Sequence, residues 1–186
     1  MLVVAGLGRC GTTLIMKSIK KKYSFVSNLN ELGSRRYEQQ MWKTHGLPAT
    51  NWPSGTKIIW CFGDPRDIVV SCITNGFGFL HSHCLNLGGD LENLGNILEK
   101  DVLGLDKHFT AWYNNIPGIR LATVKYERLY ANLDEIKRFI GLPLSFPTFM
   151  PRNTNWRQFW AADKIDRTYG ALAQRIAKAE DFKVWS

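Results

Sequence analysis

At 186 residues the chain has the length of one ordinary domain, and a composition that is 45% hydrophobic and 12% aromatic is too apolar for a disordered segment. A formal net charge of +8 favours anionic partners; with lysine and arginine spread along the chain, a small polyanionic ligand accounts for it as economically as nucleic acid, which we disfavour. No run approaches the roughly 20 apolar residues of a membrane span, the apolar start lacks the basic opening of a signal peptide, and Cys10, Cys61, Cys72 and Cys84 show no C-x-x-C spacing, so a soluble, cytoplasmic protein with reduced thiols is expected.

Residues 1–5 form a short, uncharged, β-prone run that passes directly into Gly6-Leu7-Gly8-Arg9-Cys10-Gly11-Thr12-Thr13 and then into the apolar helix face of Leu14, Ile15 and Ile19. Gly6 and Gly11 have the spacing of the phosphate loop G-x-x-x-x-G-K-[ST], in which backbone N–H groups converge on an oxyanion at a helix N-terminus. Thr12 stands where a nucleotide-hydrolysing loop carries its lysine. Binding of a 5′-phosphate is therefore expected, while a nucleotide-kinase-like phosphotransferase is weakened. Arg9 keeps a cation inside the loop, and its planar guanidinium suits a pair of phosphate or sulfonate oxygens. Lys17 and the lysines at 20–22 read as a solvated helix face and C-terminal turn. The stretch 24–40 reads as a loop or short helix.

Next comes Trp42-Lys43-Thr44-His45-Gly46-Leu47-Pro48. In an extended segment Lys43 and His45 share one face, where a neutral imidazole can take a proton and an ammonium can offset developing negative charge. A second buried strand, 57–62, ends in Gly63-Asp64-Pro65-Arg66-Asp67 and a helix through Ser71. Strand, turn and helix again suggest a βαβ unit, so both turns lie at the carboxyl edge of one parallel sheet. Asn75-Gly76-Phe77-Gly78-Phe79-Leu80-His81-Ser82-His83-Cys84 combines glycine hinges with aromatics and reads as a mobile apolar wall for an acceptor; its histidines have no second ligand cluster, and no metal site is expected. Residues 91–105 and 108–113 look helical, with Phe109, Trp112 and Tyr113 as packing residues. A strand over 119–125 runs into Tyr126-Glu127-Arg128-Leu129, and an amphipathic helix over 133–141 ends in Gly141. Arg152-Asn153-Thr154-Asn155-Trp156-Arg157 closes the set of informative segments.

Taken in order, these segments resemble the sulfotransferases that use 3′-phosphoadenosine 5′-phosphosulfate (PAPS). The 5′-phosphosulfate loop of that family, P-K-S-G-T-T, is similar to Gly8-Arg9-Cys10-Gly11-Thr12-Thr13; K-T-H-L-P of the cytosolic type is similar to Lys43-Thr44-His45-Gly46-Leu47-Pro48 with one inserted glycine; the 3′-phosphate segment R-N/D-P-K/R-D-x-x-x-S is similar to Gly63-Asp64-Pro65-Arg66-Asp67-Ile68-Val69-Val70-Ser71; and Y-E-x-L is similar to Tyr126-Glu127-Arg128-Leu129. The resemblance implies a single domain over 1–186, an α/β fold with a central parallel sheet flanked by helices, of the P-loop sulfotransferase type. It implies His45 as base, with Lys43 and Arg9 stabilising charge. The cofactor would be held by Gly8, Arg9, Cys10, Gly11, Thr12, Thr13, Arg66, Ser71, Tyr126 at the adenine, and Arg152 closing on the 3′-phosphate. Transfer would need no metal, would leave adenosine 3′,5′-bisphosphate, and would rise with pH near 6.5 as His45 deprotonates. The acceptor would be a small molecule or a glycan. Three departures stand out: Arg9 for a loop lysine, Leu14 for an adenine-stacking tryptophan, and Gly63 for the arginine that opens the 3′-phosphate segment. A non-catalytic basic nucleotide-binding module is the other alternative; it leaves Lys43-Thr44-His45 without a task.

Overall fold

The computed structural model describes residues 1–19, 24–26, 40–142, 144–148 and 153–185. A six-stranded sheet runs in the order β2-β3-β1-β4-β5-β6, with β1 Leu2–Gly6, β2 Ser24–Val26, β3 Gln40–Thr44, β4 Lys57–Phe62, β5 Arg120–Lys125 and β6 Phe182–Trp185. The first five strands are mutually parallel, and β6 is antiparallel to β5. Strands β1 and β4 are almost wholly apolar and buried along their length, the pattern of parallel strands covered on both faces.

Among the described residues six α-helices accompany the sheet: α1 Thr12–Ile19, α2 Pro65–Thr74, α3 Phe77–Leu87, α4 Leu105–Trp112, α5 Leu133–Ile140 and α6 Ala162–Lys178. Local chemistry starts and stops them. Asp64 caps α2 by accepting the Arg66 N–H at 2.9 Å, with Pro65 in the first turn where its missing N–H costs nothing. Helix α5 ends at Gly141 in the left-handed conformation, as its sequence predicts. The sheet, α2 and α6 enclose the core, with Trp60, Phe62, Phe109 and Trp112 forming its aromatic centre. Phe109 and Trp112 pack here, as expected, and all four cysteines are buried and outside any disulfide among the described residues.

Three segments depart from the sequence expectation. Of residues 91–105, expected to be helical, only Leu94–Asn96 form a 3₁₀ turn before α4 begins at Leu105, because the Asp90 carboxylate accepts from the Asn93 backbone and amide and diverts the chain into turns. Instead of a loop or short helix, residues 24–26 and 40 belong to β2 and β3, while 27–39 lie outside the described residues, as do Lys20, Lys21 and Lys22. The sheet is mostly rather than wholly parallel, since the last strand returns from α6 through a short turn. No described helix is long and apolar enough to cross a membrane.

The order matters for function. The chain leaves β1 toward β3 on one side and reaches β4 on the other, so the carboxyl end of β1 is the switch point of the sheet, where open α/β sheets hold ligands.

Candidate active site

The turn between β1 and α1 is a built cradle. Gly8, Arg9 and Gly11 all take left-handed backbone angles, with φ of 79°, 52° and 82°. Arg9 is the sole non-glycine residue with positive φ among the described residues, a conformation that costs energy and recurs at ligand sites. Glycine at position 8 serves a second end: a Cβ there would lie 1.9 Å from Nε2 of His83. At Gly11 it would press on Leu129 and Tyr126, at 2.9 and 3.0 Å. The first backbone N–H groups of α1 have no partner within the helix and point into this turn.

The Arg9 guanidinium is held from two sides. Its Nε donates to the Ser71 hydroxyl at 2.8 Å, and its carbon sits 5.6 Å from the Phe79 ring centroid. Lys43, at the end of β3, donates to the Thr13 hydroxyl at 3.1 Å, and partial burial lowers its pKa. Thr12 is buried and Thr13 exposed.

One residue beyond β3, His45 places Nδ1 2.8 Å from the Gly6 carbonyl. A carbonyl can only accept, so Nδ1 carries the proton and Nε2 is the basic nitrogen. Burial lowers the pKa of this imidazole to about 4, outweighing the carbonyl bond that favours the cation, with Lys43, His83 and His108 pushing the same way as burial. Two bonds shape the turn that follows: Thr44 Oγ1 accepts the Gly46 N–H at 3.0 Å, and Trp112 Nε1 donates to the Gly46 carbonyl at 3.0 Å, fastening it to α4.

These groups open onto a cavity of about 680 Å³ lined by residues of the loop, Lys43, His45, α3, Tyr126, Tyr130 and the segment through Thr154. The described lining residues include two cations, Arg9 and Lys43, and no carboxylate. Such a surface takes an anion. The adenine-side candidate Tyr126 lines it together with Tyr130.

Sequence reasoning missed His83. It is buried, with Nε2 3.3 Å from the Leu7 carbonyl, its ring stacked on Phe79 at 5.5 Å and 12°, and 5.6 Å from the His45 ring. Burial lowers its pKa, and the charges of Arg9 and Lys43 lower it further. The available signal was Gly8, whose open side is needed for that ring.

Arg66 and Ser71 occupy other places than the cavity wall. Arg66 grips Asp64 with Nε and Nη2 at 2.9 and 2.7 Å, reaches Asp166 with Nη1 at 2.6 Å, and stacks over Trp156 at 4.1 Å. Ser71 is buried and faces Arg9. Cys10 is fully buried beneath the loop. Arg152 lies outside the described residues. Gly63 packs against Glu127, where a Cβ would meet Oε1 at 2.8 Å, and that carboxylate accepts the Asp64 N–H at 3.1 Å. Glu127 of the Tyr-Glu pair is thus a brace for the turn before α2.

The chain matches no protein-family model and no curated protein. Among solved structures it is similar to retinol dehydratase, crystallised in a complex with retinol and PAP, at 16% sequence identity and a TM-score of 0.48. That similarity covers 94% of this chain and 64% of the other, so this chain spans less than two thirds of its neighbour's length.

Proposed function

We propose that this chain is a sulfotransferase that moves a sulfonate group from PAPS to a hydroxyl or amine of an acceptor. One observation carries the reading: a base held neutral by burial, His45, opens onto the same cavity as two cations, Arg9 and Lys43, at the mouth of a phosphate loop that lacks the hydrolytic lysine. When bound, the donor supplies an activated sulfonate on a phosphate leaving group. The residues present fit such a group, because left-handed loop geometry, helix N–H groups and two cations converge without a described carboxylate to repel it.

The work of each residue follows from its placement. His45 Nε2 takes the acceptor proton as the acceptor oxygen or nitrogen bonds to sulfur and the phosphate leaves with the electron pair of the broken S–O bond. Lys43 and Arg9 offset the negative charge that accumulates on sulfonate and phosphate. Thr13 fixes the Lys43 ammonium, and Ser71 fixes the Arg9 guanidinium. Tyr126 and Tyr130 offer the base end an aromatic wall where Leu14 replaces a stacking tryptophan.

Isothermal calorimetry tests the donor. The protein is expected to bind adenosine 3′,5′-bisphosphate without Mg²⁺ and more tightly than ATP with Mg²⁺. Preference for Mg²⁺-ATP would point to a phosphotransferase. Preference for an oligonucleotide, with steep salt dependence, would point to a nucleic-acid module.

A further inference from the structure

The acceptor side of the cavity is built by one helix. Phe79, Ser82, His83 and Asn86 of α3 fall at i, i+3, i+4 and i+7, so they form a single face, and all four line the cavity. His83 stands 5.6 Å from the His45 ring, which places Ser82 beside it and Asn86 one turn further within reach of a molecule whose reacting group lies at His45. Of the stretch 75–84 expected to wall the acceptor, Phe79 lines the cavity, whereas Phe77 and Leu80 do not. Phe77 and Leu85 point outward, 71% and 60% exposed, and Leu80 is in the core. Phe79, the aromatic ring that α3 turns inward, is engaged by His83 on its face and by the Arg9 guanidinium. What remains for a ligand is the Ser82 hydroxyl and the Asn86 amide, both exposed and neither bonded to another described residue. Thr148, Asn153 and Thr154 add uncharged polar groups elsewhere around the cavity.

Resting on the sulfonate-transfer reading, we propose that the acceptor is an uncharged polyhydroxylated molecule of the sugar or cyclitol class, bound through Ser82 and Asn86, rather than a phenol or a long-chain alcohol. A hydroxyl and a carboxamide can each donate and accept, so together they satisfy neighbouring hydroxyls of one ring while a third hydroxyl is presented to His45. An apolar acceptor would desolvate both groups without replacing their bonds to water, and a site that hydrogen-bonds a hydroxyl discriminates against an analogue lacking it.

The experiment has two stages, so that the two readings fail separately. Calorimetry with adenosine 3′,5′-bisphosphate establishes the donor site; absence of binding would overturn the sulfonate-transfer reading and the acceptor class with it. Where binding is present, sulfonate transfer from PAPS is measured to methyl glucopyranoside, a disaccharide and myo-inositol, against 4-nitrophenol and decanol. The polyols are expected to be used at least tenfold better in kcat/KM. Ser82→Ala and Asn86→Leu are each expected to raise the KM for the polyol about tenfold, with nucleotide affinity unchanged within about twofold. The outward variants Phe77→Ser and Leu85→Ser serve as folded controls with unaltered KM. Transfer to the phenol or decanol in preference, no transfer to any polyol, or a polyol KM unmoved by Asn86→Leu would each overturn the proposal while the donor reading stands.

Discussion

A histidine serves as a base only in its neutral form, and burial has already removed the competing cation at position 45. With a pKa near 4, His45 is neutral across the physiological range, so kcat/KM, which reports the free protein, is expected to rise with pH through about 4 rather than through the 6.5 of an ordinary imidazole. An anion beside the ring favours its charged form, so the same limb measured in kcat moves upward. His45→Ala is expected to lower turnover by roughly a hundred- to ten-thousandfold, and an acid limb in kcat/KM at 6.5 would contradict the burial assigned to the ring. That Arg9, His45 and Lys43 meet at one cavity was legible because each sits in a short motif at the carboxyl end of a strand of one parallel sheet. Ser71 was legible only as a position: the sequence pattern points to a phosphate, whereas the structure puts the hydroxyl beneath Arg9. Arg9→Ala is therefore expected to lower turnover by about a hundred- to thousandfold, and Ser71→Ala by about tenfold through the misplaced guanidinium. On the Arg9→Ala background, Ser71→Ala should cost nothing more; multiplying effects in that double-mutant cycle would show that Ser71 acts by another route.

At the scale of elements, the turn before α2 behaves as a structural joint. Arg66 ties the Asp64 cap of α2 to Asp166 of α6 and packs on Trp156, while Asp67 accepts the Trp156 N–H at 3.0 Å. A guanidinium engaged by two carboxylates has little left for a phosphate, so Arg66→Ala is expected to lower stability by on the order of 2 kcal/mol and to change affinity for adenosine 3′,5′-bisphosphate by less than about threefold. Urea unfolding and calorimetry on the same variant separate the two effects; tenfold weaker binding at unchanged stability would mean that the clamp opens onto the nucleotide. Gly63→Arg is expected to disturb this turn rather than restore a 3′-phosphate contact, since its Cβ would displace the Glu127 carboxylate that holds the Asp64 N–H. Helix α3 shows why parts of the site escaped the sequence. Phe77, His81 and Leu85 make one helical stripe and Phe79, Ser82 or His83, and Asn86 another, and periodicity alone does not say which stripe turns inward. Residues 91–105 failed for a different reason: the stretch looked helical, but the Asp90 carboxylate accepts both the Asn93 backbone N–H and its side-chain amide and holds the chain in turns.

For the molecule as a whole, most of the sheet could be read in advance because buried parallel strands announce themselves as unbroken apolar runs ending in turns. Strand β6 could not, since Phe182, Lys183, Val184 and Trp185 form a short, half-exposed edge whose direction is decided by where α6 ends. The same burial that organises the core also makes stability depend on pH. His45, His83 and His108 all have folded-state pKa values below the ordinary 6.5, chiefly through burial. The unfolded chain takes up protons below 6.5 while the folded chain resists, so the stability is complete above 6.5 and is lost as pH falls toward about 4. For His45 alone, moving from 6.5 to about 4 corresponds to on the order of 3 kcal/mol, a large part of the roughly 5–15 kcal/mol that holds a typical domain. Half-buried Asp101 opposes this: desolvation raises the pKa of its carboxyl, so its neutral form favours the folded state as pH falls. The large fall at His45, in the same direction as those at His83 and His108, sets the expected sign. The urea midpoint is expected to drop clearly between pH 7 and pH 4.5, and to drop less in His45→Gln, which removes the titrating ring but keeps a donor for the Gly6 carbonyl. A midpoint that does not change with pH, or an equal drop in the variant, would mean that the His45 ring is hydrated and that burial does not keep it neutral.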